Sequence, residues 1–206
     1  MHYKAAMQEN WAAEHLQVIR TLMERSAVYR RALAPLMTFA GVLGTIAAWI
    51  GWGRQIESPR GFVLFWAIVS AIALGGALLL VRRQALRAGE PLWSPPTRRV
   101  SQALLPCLVL GAVAGVFVWL QGGSGAELLP AIWVALYGCA LHAAGFFMPR
   151  GIRLFGWCFL GAGGVMLVLI QRWDFSPHLL MGCFFGLLHL AYGIYLYFTE
   201  QARITS

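Results

Sequence analysis

The chain has 206 residues, 59% of them hydrophobic and only 12% charged, with mean hydropathy +0.66. A soluble domain of this size is about a quarter charged, so this composition argues for a chain that lives in lipid. Eight acidic residues stand against sixteen basic ones. The basic residues cluster at the ends of apolar runs, which reads as a topology signal and not as a nucleic-acid face.

Residues 10 to 34 carry Ala12, Leu16, Ile19, Met23 and Ala27 at spacings of three and four, with Glu14, Gln17, Thr21, Glu24 and Arg31 on the other side. This pattern predicts an amphipathic interfacial helix within an N-terminal segment 1–34. It would lie on the headgroups or dock on a protein partner. A polar opening of this length does not resemble a cleaved signal peptide, so the first apolar span is expected to act as an uncleaved anchor.

Six apolar spans follow at about 35–53, 61–81, 103–120, 128–148, 152–170 and 179–198. Each is long enough to cross a hydrocarbon core of ~30 Å as a helix. Barrel strands would alternate polar and apolar positions, and these runs do not. The expected fold is therefore all-α. A membrane domain over 35–198 holds six transmembrane helices in three antiparallel hairpins, with a short tail at 199–206.

With the N-terminus cytoplasmic, the inner segments hold thirteen Arg and Lys and the outer segments three, Arg54, Arg60 and Arg172. The bias predicts both termini inside. The expected location is a bacterial inner (plasma) membrane. A basic stretch at 82–100 carries Arg82, Arg83, Arg87, Arg98 and Arg99, and is expected to lie as a loop along anionic lipid headgroups.

Pro59, Pro130 and Pro177 each precede a span that returns from the outer side, where a missing N–H costs nothing. Pro130 to Pro177 and His142 to His189 are both 47 apart, which hints at a repeated hairpin. Gly111 with Gly115, and Gly182 with Gly186, form small-residue pairs at four-residue spacing. Ala67, Ala71 and Gly75 form a similar stripe. Such stripes let helices approach closely and gain dispersion contacts that lipid does not match.

No carboxylate or lysine lies within any span, and the one arginine, Arg153, stands at the start of the fifth. Ion-coupled carriers commonly need a charge at mid-membrane, so a single-chain transporter is disfavoured. His142 and His189 are the ionisable groups inside spans, each twelve residues after its proline. Two imidazoles at one depth would serve as haem b or metal ligands, with Cys139 as a soft metal ligand and Arg150 as a propionate partner. The competing reading is structural: a neutral imidazole bonded to a neighbour, with Tyr137 and Tyr192 at a fitting depth. His178, at the outer end of the last span, is expected to be satisfied by water.

There is no GxSxG, HExxH or paired carboxylate, so hydrolytic chemistry has no support. The expected role is a non-enzymatic scaffold or regulatory subunit that works through helix–helix contacts. It would associate as a homo-oligomer or with a partner membrane protein. The alternatives are a haem- or metal-binding redox or sensor protein using His142 and His189, and a small channel or carrier formed between protomers.

Overall fold

The computed structural model describes residues 32–123, 125–169 and 175–205. The amphipathic segment lies outside these residues, apart from positions 32–34, which open the first helix. Six helices are long and apolar enough to cross a membrane, and no strand occurs among the described residues. They are α1 (Ala32–Gly53), α2 (Pro59–Arg87), α3 (Pro95–Leu120), α4 (Leu129–Ala144), α5 (Arg150–Leu169) and a composite sixth span. That span consists of α6 (Pro177–Met181), a π-helical segment (Gly182–Leu188) and α7 (His189–Thr205).

The α1–α2 and α3–α4 connections lie at one end, here the upper end, where α5 also ends and α6 begins. Proline opens each helix that descends from it: Pro59 in α2, Pro130 in α4 and Pro177 in α6. The ring presets φ for a helix and removes only an N–H that would have no intrahelical partner. Ser58 caps α2, its hydroxyl accepting from the Gly61 N–H at 3.2 Å. The α3–α4 turn needs left-handed backbone, with Gly123 at φ 112° and Gly125 at φ 79°. Gly123 also sits against the Pro59 ring, where a Cβ has no room.

At the lower end the helix limits differ from the charge-free runs. Residues 82–100 are mostly helical, because α2 continues to Arg87 and α3 begins at Pro95, leaving 88–94 as the connection. Arginine is a good helix former, and its head can reach water while the backbone stays hydrogen-bonded. At ~1.5 Å per residue α2 and α3 are roughly 43 and 39 Å long, beyond the ~30 Å core. The fourth span does the opposite. It ends at Ala144, four residues short of Met148, where Gly145 packs against the backbone of Arg153.

Two antiparallel pairs set the architecture. α1 runs against the sixth span, with Thr38 on Gly193, Gly41 on Leu190, Gly44 on Phe185, Ala48 on Gly182 and Gly51 on His178. α4 runs against α5, with Ala135 on Gly163, Gly138 on Leu160 and His142 on Gly156. At nearly every level one partner is glycine, so the backbones come close. α3 lies on α4, and α5 reaches the sixth span through Phe155 stacked on Tyr192 at 4.5 Å.

An upper core gathers Ala47, Ala48, Phe62, Val63, Trp66, Val118, Leu129 and Met181. A lower core gathers Leu33, Met37, Val134, Leu141, Ile152, Phe155 and Phe159. α2 and α3 are the least covered spans, at 11% and 17% buried against 39% for α1 and the fourth span. Their outer faces are therefore the surface left to lipid or to another protein.

Candidate functional site

Polar side chains within apolar helices must find partners inside the protein, because lipid offers none. The sixth span carries two such groups, and each sits beside one core. His189 is 2% exposed and packs among Phe155, Phe159 and Phe185. Its Nδ1 lies 2.9 Å from the Phe184 carbonyl oxygen, and its Nε2 lies 2.8 Å from the Tyr137 hydroxyl. A carbonyl only accepts, so Nδ1–H donates to Phe184 and Nε2 accepts from Tyr137. The ring is thus a neutral imidazole of defined tautomer, with both nitrogens occupied. Tyr192, the other tyrosine at fitting depth, stacks on Phe155 instead.

His178 does the same work at the upper end. It is 4% exposed, contrary to the expectation that water would satisfy it. The Trp66 indole N–H donates to its Nδ1 at 3.2 Å, and its Nε2–H donates to the Ile56 carbonyl at 3.0 Å. Phe62 and Phe65 meet the ring edge-on at 5.1 and 5.6 Å. One imidazole therefore ties α6 to α2 and to the α1–α2 turn. Gly51 of α1 makes room for it.

His142 stands apart from both. It lies in the last turn of α4, half-buried, with its ring 5.0 Å from Trp157 and 5.4 Å from Phe146. Its Nδ1 is buried and has no hydrogen-bond partner among the described residues. His189 meets α4 at Tyr137, five residues before His142. Five residues amount to roughly 7.5 Å along the helix and about 140° around it. The two imidazoles therefore differ in level and in the side of α4 they occupy.

No family model, curated protein or solved structure matches this chain. The site must be judged on its own chemistry.

A haem or metal held between His142 and His189 does not fit this arrangement. The rings have separate surroundings, and Nε2 of His189 is engaged by Tyr137. Among the described residues no three of His, Cys, Asp and Glu come together as a metal-binding group. Cys139 is half-buried on α4, and Arg150 is exposed at the start of α5. Arg153, one turn further, holds its guanidinium over Phe146 at 5.4 Å.

The glycine pairs play different parts. Gly182 and Gly186 bring the sixth span onto Ala48 and Thr45 of α1. Gly111 and Gly115 face one indole ring, Trp133, whose N–H donates to the Gly111 carbonyl at 2.8 Å. A Cβ on Gly115 would stand 3.1 Å from that ring. The stripe of Ala67, Ala71 and Gly75 is exposed, and no described residue lies within 4 Å of a Cβ at Gly75. Arg82, Arg83, Arg87, Arg98 and Arg99 are all exposed at the lower ends of α2 and α3.

Sequence reading missed Trp66 and His178 as a pair. The available signal was a tryptophan seven residues into a span, too deep for the interface, whose N–H needs a partner.

Proposed function

We propose that this protein is a non-enzymatic membrane scaffold or regulatory subunit that acts through helix–helix contacts. The observation that carries this reading is the use made of the intramembrane polar groups. The imidazoles of His189 and His178 each have both nitrogens engaged within the protein, His189 with Tyr137 of α4 and Phe184 of its own span, and His178 with Trp66 of α2 and Ile56 of the α1–α2 turn. They serve as ties and leave no convergent donor set for a substrate. The outer faces of α2 and α3 are long, apolar and uncovered by the other described residues. The open Ala67–Ala71–Gly75 stripe supplies a surface on which a second copy or a partner helix can seat.

In this reading the six spans form three hairpins turned outward, with the amphipathic N-terminal helix on the cytoplasmic interface and both termini inside. The membrane is a bacterial plasma membrane. Arg82, Arg83, Arg87, Arg98 and Arg99 then lie at the inner headgroups, where each basic side chain contributes about 1 kcal/mol of attraction to anionic lipid.

The test is the native mass of mildly solubilised protein, measured together with its absorption spectrum and metal content. An oligomer or co-purifying membrane partner, in a colourless preparation from haem-replete cells, is the expected result. A strictly monomeric protein with a Soret band or stoichiometric metal would overturn the reading.

A further inference from the structure

The π-helical segment of the sixth span lies apart from the outer faces of α2 and α3. π-Helices close i→i+5 hydrogen bonds and occur mostly as single turns, so seven consecutive residues, Gly182–Leu188, are an uncommon length. The wider turn advances less per residue than an α-helix. The packing against α1 measures the difference. His178 to Gly193 spans fifteen residues and lies along Gly51 to Thr38, which spans thirteen. As a continuous α-helix, the sixth span would be two residues of rise too long, about 3 Å.

The lower end of that segment is held from the side. In an α-helix the Phe184 carbonyl would accept from the Leu188 N–H. Here the His189 imidazole reaches back five residues and donates to it. Tyr137 of α4 then fixes the imidazole from the opposite nitrogen. Phe155 and Phe159 meet the ring edge-on, and Phe185 stacks on it. No charged group takes part in these contacts.

The α1 face accommodates the longer form at one level and resists it at another. Two residues of downward travel bring Ala191 opposite Thr38 in place of Gly193, and Leu188 opposite Gly41 in place of Leu190. Leucine follows leucine at Gly41, but at Thr38 a methyl enters where a Cβ on Gly193 would stand 2.7 Å from the Thr38 backbone nitrogen, so the longer form also moves α7 slightly off α1.

We propose that the sixth span is a two-state register switch. Tyr137 and His189 latch Gly182–Leu188 in its π form. Release of the latch lets the segment rewind as α-helix, moving α7 about 3 Å downward along α1 and turning it about its axis. Upstream residues, anchored by His178 on Trp66 and Ile56, stay in place. The switch stands whether or not the protein is a scaffold.

Pulsed electron–electron spin resonance on the full chain in lipid nanodiscs tests this. Cys107, Cys139, Cys158 and Cys183 are first replaced by alanine. One label pair, Tyr197→Cys with Leu86→Cys, reports the lower end. A second pair, Trp49→Cys with Leu179→Cys, reports the upper end. All four positions are exposed. Tyr137→Phe keeps the ring and removes only the hydroxyl, and His189→Leu removes the whole latch.

The expected result is a second population in the lower pair, shifted by the combined descent of about 3 Å and turn of roughly 200° of α7, with the upper pair unchanged. It should be partial in Tyr137→Phe and dominant in His189→Leu. If His189→Leu does not fold, Tyr137→Phe decides alone. A lower-pair distribution identical to that of the parent, or equal broadening of both pairs, overturns the proposal.

Discussion

Gly186→Ala and Gly75→Ala add the same methyl group to two spans, and the structure assigns them opposite signs. A Cβ on Gly186 would stand 2.6 Å from Thr45 Oγ1, 2.7 Å from its backbone nitrogen and 2.9 Å from its Cα. Ordinary carbon contacts begin near ~3.5 Å, so α1 would have to retreat by roughly half an ångström or more. Two of the three atoms are backbone, so no rotamer change relieves the clash. Overpacking of this kind costs about 1–3 kcal/mol. Replacing an interior glycine by alanine returns at most ~1 kcal/mol.

At Gly75 there is no such clash within the chain, and only the helix gain remains. The two variants should differ by about 1–3 kcal/mol, or roughly five- to 150-fold in the unfolding equilibrium. Denaturant unfolding in mild detergent, followed by tryptophan fluorescence, measures it under conditions where the protein is monomeric. Gly186→Ala as stable as Gly75→Ala would refute the close-packing argument. So would failure of Thr45→Ala to leave the Gly186→Ala defect largely in place, since the backbone atoms remain.

Further outcomes follow from the hydrogen bonds and the uncovered surface. Trp66→Phe removes the donor to His178 Nδ1 while keeping an aromatic ring, and should lower stability by about 1 kcal/mol in the same assay. Trp133→Ala strips the cover from Gly111 and Gly115. It should cost about 3–5 kcal/mol and loosen α3, read as faster amide exchange over 107–118. Gly75→Leu should leave the monomer's unfolding midpoint within experimental error while abolishing the oligomer that the proposed scaffold role expects in the native-mass measurement. Retention of the oligomer would remove α2 from the interface. Replacing Arg82, Arg83 and Arg87 by glutamine should reduce retention of anionic phospholipid through purification without lowering the unfolding midpoint.

The six spans were legible because twenty residues without a carboxylate leave a hydrophobic helix as the only low-energy state in lipid. The ends were less so. Charge marks where side chains meet water, but α2 and α3 keep their backbone bonds through Arg87 and from Pro95. The fourth helix stops early because Gly145 is pressed against Arg153, a contact no local pattern encodes.

The histidines show the same division. Equal spacing from proline does not bring the two imidazoles to one level, and meeting across a bundle also needs the right side of each helix. His189 found Tyr137, and five residues of α4 turned His142 toward Trp157. The π segment was hidden because Gly-Cys-Phe-Phe-Gly-Leu-Leu has no local preference for it. The need arises from matching the sixth span to α1.

The partnership of α1 with the sixth span has a consequence for how the protein is made. Chains emerge from the ribosome amino end first, so α1 enters the bilayer while the helix that will cover Gly41, Gly44 and Gly51 is still untranslated. Until then its notched side is filled by acyl chains or by whatever insertion factor stays with it. A nascent chain stalled before Pro177 would hold an unfinished α1, open to capture by membrane proteases. Completion of synthesis and completion of packing are thus one event for the first of these helices.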